Sequence, residues 1–307
     1  MRSILSIADL SRDELSRVLE RASVLKQETK QGRWRTELAG KTVALIFQKP
    51  SLRTRVSFEQ GVRHLGGHSL YLSPAEVGLG ERESVADVAR VLSRYVDCIV
   101  ARTNRHSDQE LLARFATVPV INALSDLSHP CQCLADLLTV REKKNRLAGL
   151  TMAYIGDGNN VLHSLILGTA KVGIHLRVAC PEGYEPKSTM LQLSQADREA
   201  TEATFTLLRS PVEAAAGADI LYTDVWTSMG QEAENAVRKA AFAGYRIDEE
   251  LLRLAKPDAI VMHDLPAHRG EEITDEVIDG PQSVVFDQAE NRLHAQKGLL
   301  SWLFGRP

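Results

Sequence analysis

Two arginines and two hydroxyl residues stand close together in the segment Ser51-Leu52-Arg53-Thr54-Arg55. The apolar run at 42–47 predicts a buried strand before it, and apolar residues recur at helical spacing after it. Ser51 is a favourable N-cap residue, so the segment is expected to form the first turn of a helix. The free N–H groups, hydroxyls and guanidiniums of that turn would bind a phosphate-like anion. The alternative is a capped helix with solvated arginines.

Other polar residues also directly follow predicted strands. In parallel sheets, ligands bind beyond the carboxyl ends of the strands, so this shared position favours a functional interpretation. Each residue taken alone also has a structural interpretation. His129 could be a core histidine, Arg102 could form a surface ion pair, and Asp224 could cap a turn. The full set is Arg102, His129 with Gln132, Asn159 and Asn160, Asp224 through Gly230, and His263 through Pro266.

Two of these residues suggest a specific role. Beside an anion site, His129 is a donor for a developing oxyanion, and Asp224 is a carboxylate for a substrate ammonium group. The turn Gly156-Asp157-Gly158 resembles the start of a dinucleotide-binding fingerprint, but the third glycine is missing at the required spacing. A nicotinamide cofactor is therefore not expected, and the amides that follow suit a small polar ligand.

The elements that position these residues alternate between strand and helix along both halves of the chain. This alternation predicts an α/β fold of two doubly wound parallel-sheet domains. We place the first domain at 1–145 and the second at 146–286. The last predicted strand is 283–286, and the final predicted helix begins at residue 287.

Composition excludes several classes of protein. The chain has 307 residues, of which 44% are hydrophobic and 25% are charged, as in ordinary globular proteins. A net charge of -3 gives no sign of a nucleic-acid or membrane partner, and we find no signal peptide or long apolar run. The four cysteines show no disulfide or zinc spacing, so we expect reduced thiols in a cytoplasmic protein.

Five spaced motifs together resemble the aspartate/ornithine carbamoyltransferase family, and the similarity runs essentially end to end. The Asp-x-x-x-Ser-Met-Gly motif is typical of the ornithine-type members. The motifs are Lys49-Pro50-Ser51-x-Arg53-Thr54-Arg55, His-Pro-x-Gln at 129–132, Gly-Asp-Gly-Asn-Asn at 156–160, Asp-x-x-x-Ser-Met-Gly at 224–230, and Glu290-Asn291-Arg292.

The resemblance implies a fold, a reaction and an assembly. The active site would lie in the cleft between the two domains, with the C-terminal helix, 287–307, packing back on the first. The carbamoyl group of carbamoyl phosphate would pass to the δ-amine of L-ornithine, giving L-citrulline and phosphate in arginine biosynthesis. No metal or organic cofactor would be needed. The family forms homotrimers or multiples of trimers, in which a neighbouring subunit lends residues from the Gly-rich loop region.

The resemblance also assigns roles residue by residue. Arg102, His129 and Asp264 would be catalytic, the first two by stabilising a tetrahedral oxyanion. The residues for carbamoyl phosphate would be Ser51, Leu52 through its backbone, Arg53, Thr54, Gly78, Arg102, His129, Gln132, Leu265 and Arg292. Those for ornithine would be Asn160, Asp224, Ser228, Met229 and Asp264.

The chain departs from the family pattern at three positions. Asp264 replaces a cysteine, Gly78 a common glutamine, and Leu52 a more usual threonine. A carboxylate at 264 would grip a substrate ammonium, but it would also hold the attacking amine protonated. Three alternatives therefore stay open: a carbamoyltransferase for putrescine, one for an N-acylornithine, and a paralogue that binds ligand but turns over poorly.

Overall fold

The computed structural model describes residues 2–228 and 232–305. It divides into two compact units: unit 1 is Met1–Leu138 with Glu290–Pro307, and unit 2 is Thr139–Ala289. Each unit contains one fully parallel sheet, which confirms the predicted two-domain α/β fold. No helix in the described ranges is long and apolar enough to cross a membrane.

Unit 1 has a four-stranded sheet in the order β2-β1-β3-β4. Its strands are β1 Thr42–Phe47, β2 His68–Leu72, β3 Cys98–Arg102 and β4 Val120–Leu124. Its helices, after a short 3-10 turn at Ile7–Asp9, are α1 Arg12–Lys30, α2 Leu52–His64, α3 Pro74–Val77, α4 Val85–Leu92 and α5 His106–Phe115. Helix α6 Pro130–Lys144 begins in unit 1 and continues into unit 2. The inner strands β1 and β3 are apolar and buried, as expected for a parallel sheet with both faces covered.

Unit 2 has a five-stranded sheet in the order β7-β6-β5-β8-β9. Its strands are β5 Thr151–Ile155, β6 His175–Ala179, β7 Phe205–Leu208, β8 Ile220–Thr223 and β9 Ile260–His263. Its helices are α7 Asn160–Val172, α8 Ser188–Thr201, α9 Pro211–Ala215, α10 Asn235–Ala241, α11 Glu249–Leu252 and α12 Asp275–Ile278, with a 3-10 turn at Glu232–Glu234. The final helix, α13 Val285–Phe304, begins in unit 2 and continues into unit 1.

The predicted strand at 283–286 is wrong. Ser283 makes only an isolated bridge to Val261, and the chain winds into α13 from Val285. A short apolar run fits a buried strand and a buried helical turn equally well, so periodicity does not distinguish them. The run is helical here because it continues into the amphipathic sequence of α13.

Within unit 1, α13 packs closely against α1. The Lys26 ammonium donates to the Asn291 side-chain oxygen at 2.8 Å, and both residues are buried. At Gly298 an added Cβ would lie 2.7 Å from the Val18 carbonyl oxygen, so only glycine permits this approach of the two backbones. The contacts anchor the helix that carries Arg292.

Candidate active site

The turn after β1 forms as the sequence predicts. Ser51 caps α2: its hydroxyl accepts from the Thr54 N–H at 3.4 Å and donates to the Thr54 hydroxyl at 2.9 Å. Thr54 is buried, Arg53 is half-buried, and the side chain of Leu52 is exposed. The N-terminus of α2, with its positive dipole end, therefore lies beside the hydroxyl groups that are expected to bind an anion.

Arg55 does not join this cluster. Its guanidinium donates to the Glu59 carboxylate at 2.9 Å and stacks over the Tyr71 ring at 3.7 Å. The expectation that both guanidiniums of the segment converge on one anion is therefore wrong for Arg55, because its side chain is committed to the outer face of α2 and to β2.

Arg292 joins two parts of unit 1 that are distant in sequence. Its Nη1 donates to Gln132 Oε1 at 2.6 Å, and its Nη2 donates to Thr54 Oγ1 at 3.1 Å. Gln132 in turn donates from Nε2 to Asp136 at 2.8 Å. Three residues taken from separate motifs thus meet in one buried hydrogen-bonded chain, which aligns the Gln132 amide and the Thr54 hydroxyl.

Arg102 is the last residue of β3, and His129 lies in the loop after β4, immediately before α6. Arg102 pairs with Phe47 across the sheet, and a register shift falls between Ala101 and Arg102, where it re-aims the side chain. Burial lowers the pKa of His129 well below its usual value, and the charges of Arg292 and Arg102 lower it further. His129 is therefore a neutral imidazole in a positive field, suited to donating a hydrogen bond to an oxyanion.

Gly78 is required by the backbone of its loop. It ends α3 with φ +55°, and an added Cβ would lie 2.7 Å from the Arg82 Cβ. Its N–H donates to the Pro74 carbonyl, and its own carbonyl accepts from Glu81 and Arg82. Both backbone groups are therefore used inside the loop, and a glutamine does not fit here beside Arg82.

In unit 2, Asn159 is a residue that sequence reasoning did not distinguish from its neighbour. Its Oδ1 caps α7 by accepting from Val161 and Leu162, and its Nδ2 donates to Asp224 Oδ2 at 2.7 Å. Asn160, the predicted ligand-binding amide, is the first residue of α7. The signal was present in the sequence, since two amides follow one strand, but nothing in it separates the capping amide from the second.

Asp224 and Asp264 follow neighbouring parallel strands in register. Thr223 of β8 pairs with His263 of β9, so the two aspartates are the next residues on strands ~5 Å apart. Burial raises the pKa of Asp224 to about 7, with the nearby charge of Asp264 as the second cause. Asp224 therefore resists ionisation beside the Asp264 carboxylate when no cation is present.

The segment after Asp224 is tied down by Arg238, which sequence reasoning also missed. Its Nη1 donates to Asp157 Oδ2 at 3.1 Å and to the Trp226 carbonyl at 3.0 Å. Burial raises the pKa of Asp157 to about 6, although the Arg238 charge opposes this. Ser228 is half-buried two residues beyond Trp226, and the predicted ligand residue Met229 lies outside the described residues.

One group of residues in the described ranges brings three possible metal ligands together. His268, Glu271 and Glu272 each offer an atom within 4.8 Å of the others. Glu271, however, pairs with Lys239 at 2.7 Å, and Glu272 accepts from His263 at 2.9 Å. We assign no metal to this group, because both carboxylates already have partners.

Comparison with protein families gives two matches that together span nearly the whole chain. The family "Aspartate/ornithine carbamoyltransferase, carbamoyl-P binding domain" matches residues 2–142. The family "Aspartate/ornithine carbamoyltransferase, Asp/Orn binding domain" matches residues 148–303.

Individual relatives agree with these matches. The chain is 53% identical to an ornithine carbamoyltransferase of Thermococcus kodakarensis over 304 residues, 99% of this chain and 96% of that protein. The structure of an ornithine carbamoyltransferase from Pyrococcus furiosus matches with a TM-score of 0.96 at 52% identity, covering 100% and 98% of the chains. An N-acetyl-L-ornithine transcarbamylase matches with a TM-score of 0.89 at 30% identity, covering 99% and 100%.

Proposed function

Since this chain belongs to the aspartate/ornithine carbamoyltransferase family, we propose that it transfers the carbamoyl group of carbamoyl phosphate to the δ-amine of L-ornithine, giving L-citrulline and phosphate. The observation that carries the proposal is an identity of 52–53% to ornithine carbamoyltransferases over nearly the whole chain. We assign the carbamoyl phosphate half of the site to unit 1 and the ornithine half to unit 2.

Carbamoyl phosphate binds to the strand ends of unit 1 in this proposal. Ser51, Arg53 and Thr54, with the backbone of Leu52, hold the phosphate at the N-terminus of α2. Arg102, His129 and Thr54 polarise the carbonyl oxygen. The Arg292 hydrogen bond orients the Gln132 amide toward the carbamoyl amide group. Gly78 has no side chain to contact the phosphate, and its backbone N–H and carbonyl are already hydrogen-bonded within the loop. The other residues therefore bind the phosphate in this proposal.

Ornithine binds to the strand ends of unit 2. Asp224 and Asp264 attract its α-ammonium group, because two adjacent carboxylates create the negative potential that an ammonium neutralises. Ser228 assists them, and Asn160 with the backbone near Met229 receives the α-carboxylate. Leu265 is the remaining residue of unit 2 to which the family resemblance assigns a role. We propose that its carbonyl oxygen contacts the carbamoyl amide group, because its N–H already donates to His263.

The reaction follows from these assignments. The neutral δ-amine attacks the carbamoyl carbon, a C–N bond forms, and the carbonyl oxygen becomes an oxyanion that Arg102 and neutral His129 stabilise. The C–O bond to phosphate then breaks, and a phosphate oxygen takes the proton from the amine. Every step uses the substrates and the protein side chains alone, so the proposal includes neither a metal nor an organic cofactor.

A homotrimer, or a multiple of trimers, in the cytoplasm completes the proposal. The family resemblance supports the assembly, and four buried cysteines that form no disulfide agree with a reducing compartment. Light scattering on the purified protein measures the assembly directly, and a mass of three chains of 33.9 kDa is expected.

The ammonium and carboxylate groups of free ornithine distinguish it from the alternative substrates. N-acylation removes the ammonium group that Asp224 and Asp264 would hold, and putrescine lacks the carboxylate that Asn160 would receive. The N-acetylornithine enzyme in the comparison is also less similar, at 30% identity, than the ornithine enzymes at 52–53%.

The test is a comparison of ornithine, N-acetylornithine and putrescine as acceptors of the carbamoyl group. A clear preference for ornithine in kcat/KM is the expected result. Preference for another amine would replace the proposed substrate. Phosphate binding by a folded protein that carbamoylates none of the three would identify a binding paralogue.

A further inference from the structure

The loop that carries Asp264 is closed by a single buried carboxylate. Oε1 of Glu272 accepts from His263 Nε2 at 2.9 Å and from the His268 backbone N–H at 2.6 Å. His263 is the last residue of β9, and His268 stands five positions further along the chain. The side chains of Glu272 and His263 are fully buried. Glu272 thus joins the two ends of the loop 264–267, which we name the substrate loop.

His263 is itself held from three directions. Its Nδ1 accepts from the Leu265 backbone N–H at 2.8 Å, while its own backbone N–H donates to Gln288 Oε1 at 2.9 Å. A ring nitrogen that accepts carries no proton, so the proton of this imidazole sits on Nε2. That nitrogen is then the donor to Glu272, and the carboxylate selects the tautomer on which the Leu265 bond depends.

The Leu265 bond holds an unfavourable backbone conformation. Leu265 has φ +59°, in the left-handed region that costs a residue with a side chain roughly 1–2 kcal/mol. The conformation turns the chain immediately after Asp264. The direction of the Asp264 carboxylate and of the Leu265 carbonyl therefore depends on the His263 acceptor.

We propose that His263 and Glu272 are positioning residues that aim Asp264 and the Leu265 carbonyl at the substrates. Neither residue touches substrate, and both act through the backbone of the substrate loop. This inference rests on the proposed function, in which Asp264 and Leu265 contact the ligands. The contact that matters most is the acceptor at Nδ1, with the Glu272 bond as the element that keeps it an acceptor.

Two amide substitutions separate the functions of the ring nitrogens. In His263→Asn the side-chain oxygen takes the place of Nδ1, so it accepts from Leu265 but loses Glu272. In His263→Gln the side-chain nitrogen takes the place of Nε2, so it donates to Glu272 but leaves the Leu265 N–H without its acceptor. The two variants are closely matched in polarity and differ mainly in which bond they keep.

The first measurement is the inhibition constant of norvaline, which is ornithine without its δ-amine. In His263→Gln it should rise by about 10- to 100-fold, because the half-buried Leu265 N–H loses its acceptor, whereas His263→Asn should stay within about threefold of the native chain. The inhibition constant of inorganic phosphate, which we assign to unit 1, should change less than about twofold in both variants. Equal losses for norvaline and phosphate, or equal behaviour of the two variants, would overturn the inference.

A second pair of variants tests the carboxylate. Glu272→Gln keeps an acceptor oxygen of the same reach and should retain most of the norvaline affinity, while Glu272→Leu should lose it in the same way as His263→Gln. The exposed residue Glu276 supplies a control, Glu276→Gln, which removes one negative charge from the same unit. A norvaline loss in the control equal to that in Glu272→Leu would show that charge, and not loop position, is responsible.

Crystal structures of the two His263 variants test the inference independently of activity. Leu265 should keep its positive φ in His263→Asn and leave it in His263→Gln, and the opposite result would refute the inference. A native chain that carbamoylates no ornithine would instead refute the proposed function, and the structural comparison at Leu265 would still decide whether His263 holds the loop.

Discussion

Replacing Asp264 with asparagine should move the pH range in which the protein binds an amino acid. Asp224 and Asp264 follow register partners on adjacent strands, and burial together with the Asp264 charge raises the pKa of Asp224 to about 7. Two charges ~6 Å apart at an effective dielectric constant of ~20 repel by about 3 kcal/mol, equivalent to ~2 units of pKa. Removing one charge should therefore lower the pKa of Asp224 by about 1–2 units.

The sign of the effect on binding follows directly. A protonated Asp224 does not attract an ammonium group, so native affinity for norvaline should fall tenfold for each pH unit below about 7. In Asp264→Asn this acidic fall should begin about 1–2 units lower. At pH 8, where Asp224 is ionised in both proteins, the variant should bind about tenfold more weakly because it has lost one of two attractive charges.

The assay is the inhibition constant of norvaline against ornithine from pH 5.5 to 8.5. Norvaline has no δ-amine, so the titration of the attacking nitrogen does not enter the measurement. Asp264→Cys, which places the usual family residue here, should shift the acidic limb as Asn does, because a thiol is largely neutral below pH 8. Glu182→Gln removes an exposed charge of the same unit and should leave the limb in place. An unshifted limb in both Asp264 variants would refute the pairing of the two carboxylates.

Three further predictions concern binding and stability. Arg53→Ala should weaken carbamoyl phosphate binding by about 2–4 kcal/mol, measured as a rise in its KM, and undiminished affinity would contradict its phosphate role. Gly78→Gln should lower the free energy of unfolding by about 1–2 kcal/mol in urea titrations, because the Cβ of the new glutamine would meet the Cβ of Arg82. Adding Arg82→Gly to this variant should restore part of the lost stability. The pKa of Asp224 in the folded protein, about 7, lies above its ordinary value of 3.8. The free energy of unfolding should therefore fall as pH rises from about 4 to 7. At pH 8 the free energy of unfolding of Asp224→Asn should exceed that of the native chain by up to ~4 kcal/mol.

The sequence predicted best where one strand is followed at once by a capped helix. Ser51, Thr54 and the start of α2 form as expected because the cap, the apolar spacing and the preceding strand are all local signals. The joining of Thr54, Gln132 and Arg292 depends on α13 returning to unit 1, and only the family resemblance supplied that expectation. Contacts across ~240 positions have no local signal in a single chain.

The positions whose roles sequence reasoning did not identify all act through hydrogen bonds to other residues. Asn159 holds Asp224, Arg238 holds Asp157, and Glu272 holds His263. Their side chains are ordinary caps or surface-type residues by composition, and only the tertiary fold shows which of them are buried. The prediction of a strand at 283–286 was wrong for a related reason. A short apolar run indicates burial but does not indicate the conformation of the backbone.

In the proposed function, the two units select their substrates by opposite electrostatic means. In unit 1, burial first and then the charges of Arg292 and Arg102 keep His129 neutral, so its remaining N–H would donate a hydrogen bond to the oxyanion without passing its proton to it. In unit 2, burial and the charge of Asp264 raise the pKa of Asp224, so Asp224 resists ionisation until a cation arrives. A thiol at 264, neutral at pH 7, would not create that dependence. The aspartate should therefore strengthen selection for an amino acid with a free α-ammonium at neutral pH, while the δ-amine must lie far enough from the pair to lose its own proton.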